Sequence, residues 1–134
     1  MKGRMQVCSQ PVQLGWRLAC LAGYAVCIFT LSSIPGQALP SVHISDKLIH
    51  AGIFGLLGFL LCRALSPQLP TWRPSRIALL SLLLTIGYGA TDELHQLFVP
   101  ARNAEMADLM ADGIGAALSV WGWLQWSARW TWLR

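Results

Sequence analysis

The chain has 134 residues, 54 % apolar and 12 % charged, with a formal net charge of +4 at pH 7. That charged fraction is about half of what a soluble globular domain carries, so the composition excludes an ordinary water-soluble surface and favours lipid as the solvent. The basic residues are scattered without aromatic interleaving, which gives no basis for a nucleic-acid partner.

A helix crosses a bilayer with ~20 mostly apolar residues, and the chain offers four such stretches. The first runs from about Trp16 to Ser33 and ends at Ile34-Pro35-Gly36. Lys2 and Arg4 precede it as in a signal peptide. No small-x-small cleavage site stands out between Gly36 and Ser41, however, and three more spans follow, so it reads as a retained helix. The second runs from about Asp46 to Leu65. A turn-rich segment, Ser66 to Pro74, then holds three of the seven prolines. The third covers Arg76 to about Phe98 and is closed by Pro100; the fourth runs from about Met106 to Trp126. Short loops make neighbouring helices antiparallel. The expected fold is all-α: one small polytopic membrane domain over residues 1–134, with four transmembrane helices.

Orientation follows from Lys and Arg. Lys2, Arg4, Arg17, Arg63, Arg73, Arg76, Arg129 and Arg134 fall on one predicted side, and only Lys47 and Arg102 on the other. Both termini are therefore expected in the cytoplasm, with Trp121, Trp123, Trp126, Trp130 and Trp132 forming a belt at that boundary. Cys8, Cys20, Cys27 and Cys62 have no metal-ligand spacing. Three of them lie in apolar runs as small packing residues, and no disulfide is expected.

The remaining polar chemistry gathers at the outer helix ends. Asp46, Lys47 and His50 open the second span. Asp92, Glu93, His95 and Gln96 close the third, Arg102 lies in the outer connection, and Glu105, Asp108 and Asp112 open the fourth. At ~1.5 Å per residue, His50 and Asp112 lie roughly 6–9 Å inside their helix starts, and Asp92 is as deep from its end. One layer results. Ser81, Thr85, Tyr88, Asp92, His95 and Gln96 recur at helical spacing, as do Glu105, Asp108, Asp112, Gly115, Ser119 and Gly122. Asp46 and His50 share a face, and Gly52 and Gly55 leave room for close backbone approach on other sides of that helix. A charge at mid-bilayer costs at least ~2.5–3.5 kcal/mol, so these stripes are expected to converge on a water-accessible, outward-opening cavity.

The series Asp46-Lys47-Leu48-Ile49-His50, then Asp92-Glu93-Leu94-His95-Gln96, Arg102 and Asp108 resembles the VanZ-like family of membrane proteins. The similarity covers about residues 30 to 120 and includes the link Phe98-Val99-Pro100-Ala101-Arg102. Two positions depart from the family pattern: Ala101 stands where glycine is common, and Asp112 where asparagine is frequent. The resemblance implies a multi-helix protein of the bacterial envelope, in the cytoplasmic membrane, whose founding member is linked to tolerance of the glycopeptide teicoplanin. It supplies no settled reaction.

Glu93, His95, Asp92 and His50 are the candidate acid–base residues. Lys47, Arg102, Asp46, Gln96, Asp108 and Asp112 are the candidate substrate-binding residues. Lys47 and Arg102 either hold an anionic head group or serve as counter-ions, and Asp108 also suits a helix N-terminus. No nucleophile adjoins the cluster; His50, His95 and the acids are suitable metal ligands, but no HExxH-type spacing occurs, so a metal stays an open alternative with no set assigned, and no cofactor is assigned. Three functions remain open. The chain binds or modifies a lipid-linked or cell-wall substrate of anionic character, or is a small proton-coupled carrier that would need a homo-oligomer, or is a non-catalytic scaffold. No broken-helix inverted repeat supports the carrier.

Overall fold

The computed structural model describes residues 10–38 and 45–131, with side chains for 14–38 and 45–129. Among the described residues the chain is all-helical: α1 (Gln10–Ser32), a short 3-10 turn (Gly36–Ala38), α2 (Asp46–Leu65), α3 (Pro74–Gln96) and α4 (Met106–Thr131). The boundaries of α2 coincide with those read from the sequence. Helix α3 starts two residues earlier than expected, because Pro74 occupies the first turn, where its missing N–H is no loss and its fixed φ suits a helix. It also stops at Gln96, with Leu97 and Phe98 in a turn. Helices α1 and α4 extend beyond the expected limits, to Gln10 and Thr131.

Contacts between helix ends set an up–down–up–down order. Arg17, early in α1, donates to the carbonyl of Arg63, late in α2, at 3.4 Å. Ser33, just after α1, meets His95 at the end of α3, and Lys47 at the start of α2 pairs with Glu105 beside the start of α4.

Among the described residues three helices are long and apolar enough to cross a membrane: Leu14–Ser32 within α1, Asp46–Leu65 and Pro74–Gln96. Helix α4 is not among them. One of its faces carries buried Asp108 and Asp112 beside Ala111 and Ala116; the other exposes Met106, Met110, Ile114, Leu118 and Trp121. Such a helix is apolar outward and acidic inward, so its average hydropathy falls while its outer surface stays oily.

The tightest packing is between α2 and α4. A Cβ built on Gly55 would lie 3.0 Å from the carbonyl oxygen of Gly115, and one built on Gly115 would overlap the carbonyl of Ala51. The two backbones touch, the close approach that small residues allow in membrane bundles. Gly55 therefore fulfils the expected role, whereas Gly52 and Gly122 have nothing within 4 Å of an added Cβ.

Below this seam, Cys62, Ile77, Ala78, Val120 and Trp123 form a core cluster. Trp123, 4 % exposed, thus belongs to the core and not to the expected boundary belt. Trp121 and Trp126 are exposed; the side chain of Trp130 and the whole of Trp132 lie outside the described residues. Of the cysteines, Cys62 is packed as expected, but Cys20 and Cys27 face outward as free thiols, and Cys8 lies outside the described residues.

Helix α1 is the peripheral member, packing Ile28, Leu21 and Tyr24 against Phe54 and Leu57. The Tyr24 hydroxyl donates to the Ile53 carbonyl at 3.0 Å, and that of Tyr88 to the Ala25 carbonyl at 2.7 Å. The connection between α3 and α4 is tied to the 3-10 turn after α1 by the Gly36 N–H, which donates to the Pro100 carbonyl at 3.1 Å. Ala101 in this connection has φ 57°, the left-handed region that favours glycine.

Candidate functional site

The converging stripes meet as their spacing requires. Ser81, Thr85, Asp92 and Gln96 of α3 are buried, together with His50 of α2 and Asp108 and Asp112 of α4. All six acidic residues of the chain lie at this end of the bundle, with Lys47 and Arg102 as the fixed cations there among the described residues.

Lys47 takes two of the acids, bonding Glu105 Oε2 at 2.6 Å and pairing with Asp108. It is a counter-ion to both, one of the two roles read for it. His50 Nδ1 lies 3.0 Å from Asp112 Oδ1, and its Nε2 lies 4.0 Å from Asp108 Oδ2. Phe54, one turn below, lies parallel to the imidazole with centroids 6.2 Å apart.

Glu93 sits at the C-terminal end of α3, where the helix dipole disfavours an anion. The structure shows what offsets this: Glu93 Oε2 accepts the backbone N–H of Glu105 at 2.8 Å, at the threshold of α4. The carboxylate thus satisfies a donor beside a helix N-terminus, where negative charge is favoured. Asp92 is bonded by the Gln96 amide at 3.2 Å on the same helix.

Two candidate residues bond to α1 and the residues just after it and not to the acids. His95 Nε2 meets Ser33 Oγ at 3.0 Å, and its ring packs on Phe29 with centroids 4.6 Å apart. It therefore joins α3 to α1, away from His50 and the carboxylates. Arg102 donates from Nε to the Ile34 carbonyl at 3.2 Å and from Nη2 to the Leu31 carbonyl at 3.4 Å. It satisfies carbonyls at the end of α1 and forms no ion pair with the acids among the described residues.

A cavity of about 310 Å³ lies between α1, α2 and α3. Its walls are Ile28, Leu31, Ile49, Ile53 and Phe54; its polar groups are Ser32, Asp46, His50, Asp92, Gln96 and Arg102. An apolar hollow with a few convergent polar groups, at the small end of ligand-site volumes, is the ordinary form of a binding site. Three contributors were not singled out from the sequence. Ser32 ends the apolar run of α1, and Phe54 hides among like residues. Gly89 follows from phase alone, lying three residues before Asp92: a Cβ there would come within 2.8 Å of Asp112 Oδ2.

A bundle with three helices long and apolar enough for a membrane, closed over a buried layer of ionisable residues, defines a small helical membrane protein with a polar site at one end. The chain belongs to the VanZ/LLP1 family, whose model matches residues 24–127. The match takes in the cavity, the acidic layer and the link through Ala101. No curated protein and no solved structure is detectably similar.

Proposed function

We propose that this VanZ-like protein resides in the bacterial cytoplasmic membrane with four spans and both termini in the cytoplasm, and that its outer cavity binds an anionic amphiphile. The ligand is an outer-leaflet lipid-linked molecule or a cell-wall intermediate. The observation that carries the reading is the division of the cavity into an oily wall and a polar rim that includes Arg102. The guanidinium has five N–H donors and uses two on the Leu31 and Ile34 carbonyls, which leaves Nη1 for a phosphate or carboxylate. Ile28, Leu31, Ile49 and Ile53 would line an acyl or prenyl chain. The fourth span is supported by the outward apolar face of α4, and the orientation by the distribution of Lys and Arg.

Within this reading Gln96 is a polar contact for the head group, Asp46 accepts from hydroxyl groups beside it, and Asp92 is the acid–base candidate closest to it. Glu93 and His95 act instead through helix positioning. The link to teicoplanin tolerance is part of the proposal. Wild type, Arg102→Gln and Ile53→Trp are to be expressed at matched membrane levels in a Gram-positive host and scored for tolerance of lipidated and unlipidated glycopeptides. The expected result is tolerance of the teicoplanin type with wild type, lost when the anion contact is removed or the cavity is filled. Wild type indistinguishable from empty vector would refute the tolerance link. Full activity of both variants would refute the cavity as its seat.

A further inference from the structure

Beyond the cavity's ligand, the acidic layer contains an arrangement that the proposed binding does not use. His50, Glu93 and Asp112 come from three different helices, and one ligand atom of each lies within 4.8 Å of the others. All three are buried, Asp112 completely. Glu93 Oε2 is held by the Glu105 N–H, while its Oε1 is buried without a hydrogen-bond partner; Asp112 Oδ2 is likewise buried and unpartnered.

Two buried carboxylates each leave an oxygen unmatched, and neither has a lysine or arginine partner among the described residues. Lys47 is committed to Glu105 and Asp108, and Arg102 to carbonyls of α1. An uncompensated buried carboxylate costs several kcal/mol. A proton on each, or one doubly charged ion between them, would remove that cost. The donor set favours the ion: an imidazole nitrogen and two carboxylate oxygens converge from separate helices, and Glu93 is fixed through its second oxygen, as metal-binding carboxylates commonly are.

We propose that His50, Glu93 and Asp112 form a binding site for a divalent first-row transition ion, zinc or manganese. One imidazole with two carboxylates suits these ions, whereas calcium takes six to eight oxygens. The three protein ligands leave further coordination positions, and since His50 also lines the cavity, the ion stands at its inner wall. A second grouping, Asp46, His50 and Asp108, shares the histidine. Its Asp46 is exposed and its Asp108 is already paired with Lys47, so it is the weaker set.

The inference concerns the metal alone and holds whatever the cavity binds. The full-length protein in detergent, stripped with a chelator, is titrated with Zn²⁺ by calorimetry. Wild type is expected to bind one ion per chain, with Glu93→Gln and Asp112→Asn each weakening binding by more than ~10-fold. His95→Gln and Asp46→Asn should leave it unchanged. Absence of saturable binding by wild type overturns the proposal, as does loss in Asp46→Asn with retention in Glu93→Gln. Should the acid variants fail to fold, pulsed electron paramagnetic resonance of Mn²⁺-loaded wild type decides. One coupled imidazole nitrogen, retained in His95→Gln, supports the site, and no nitrogen coupling refutes it.

Discussion

The contact between α2 and α4 makes a sharp prediction, because the same substitution at different glycines meets different surroundings. In Gly115→Ala the new methyl overlaps the carbonyl of Ala51 and crowds its Cα. These are backbone atoms, which no rotamer change can move aside, so the helices must separate. Forced overpacking costs typically 1–3 kcal/mol, and separation also loosens the contacts along the seam. Against this stands the helix preference for alanine over glycine, ~0.8–1 kcal/mol. The net expectation is destabilisation of up to about 2 kcal/mol. In Gly52→Ala, Gly87→Ala and Gly122→Ala the methyl meets nothing within 4 Å, so only the helix preference acts and each variant is neutral or up to about 1 kcal/mol more stable. The two classes should therefore differ by roughly 2 kcal/mol. Reversible unfolding in mixed micelles, with helicity as the signal, reads that difference directly. Gly115→Ala as stable as Gly122→Ala would show that the backbones do not touch there, and the α2–α4 seam would be wrong.

Ala101 holds φ 57°, a conformation that costs a residue with a Cβ about 1–2 kcal/mol. Because glycine also gains entropy in the unfolded chain, Ala101→Gly should raise stability by only about 0.5–1 kcal/mol in the same unfolding assay; a loss would contradict the left-handed turn. Lys47 offsets the charge of buried Asp108, so Lys47→Met should destabilise the protein, and Asp108→Asn in the same chain should recover part of the loss. A double-mutant cycle is expected to show that the two effects are coupled, and additive effects would remove Lys47 as the counter-ion.

The helices were legible because apolar runs bounded by proline and glycine leave little choice, and α2 was read to the residue between Asp46 and the turn-rich Ser66–Pro74 segment. Phase was legible in part. Asp108, Asp112 and Gly115 fall inward as their spacing suggests, but the buried face of α4 continues through Ala116, Val120 and Trp123, whereas the small residues suggested Ser119 and Gly122. Aromatic residues near a helix end read equally well as belt or core, and only the partner surface of Cys62 and Ile77 decides. His95 shows the same limit in the site. It lies three residues after Asp92, and whether that direction faces the acids or α1 depends on where α1 packs, which no local pattern reports. Arg102 has charge enough to suggest an ion pair, yet the carbonyls ending α1 reach it first.

The packing seam and the acidic layer are one device. Ala51 follows His50 directly, and Gly115 lies one turn below Asp112, so the overlap-free approach of Ala51 to Gly115 is what brings the imidazole within 3.0 Å of the carboxylate. Gly89 does the same from α3, leaving the space that Asp112 Oδ2 occupies. Larger residues at these positions would move the helices apart by more than a hydrogen bond tolerates. Small residues thus serve the site by permitting distance, while Glu93 serves it by fixing the entrance to α4 through the Glu105 N–H. A layer of buried carboxylates is costly in any membrane protein. That this one is built from three helices, two of them (α2 and α4) held at backbone contact, is the strongest physical reason to regard it as a site and not as residual polarity.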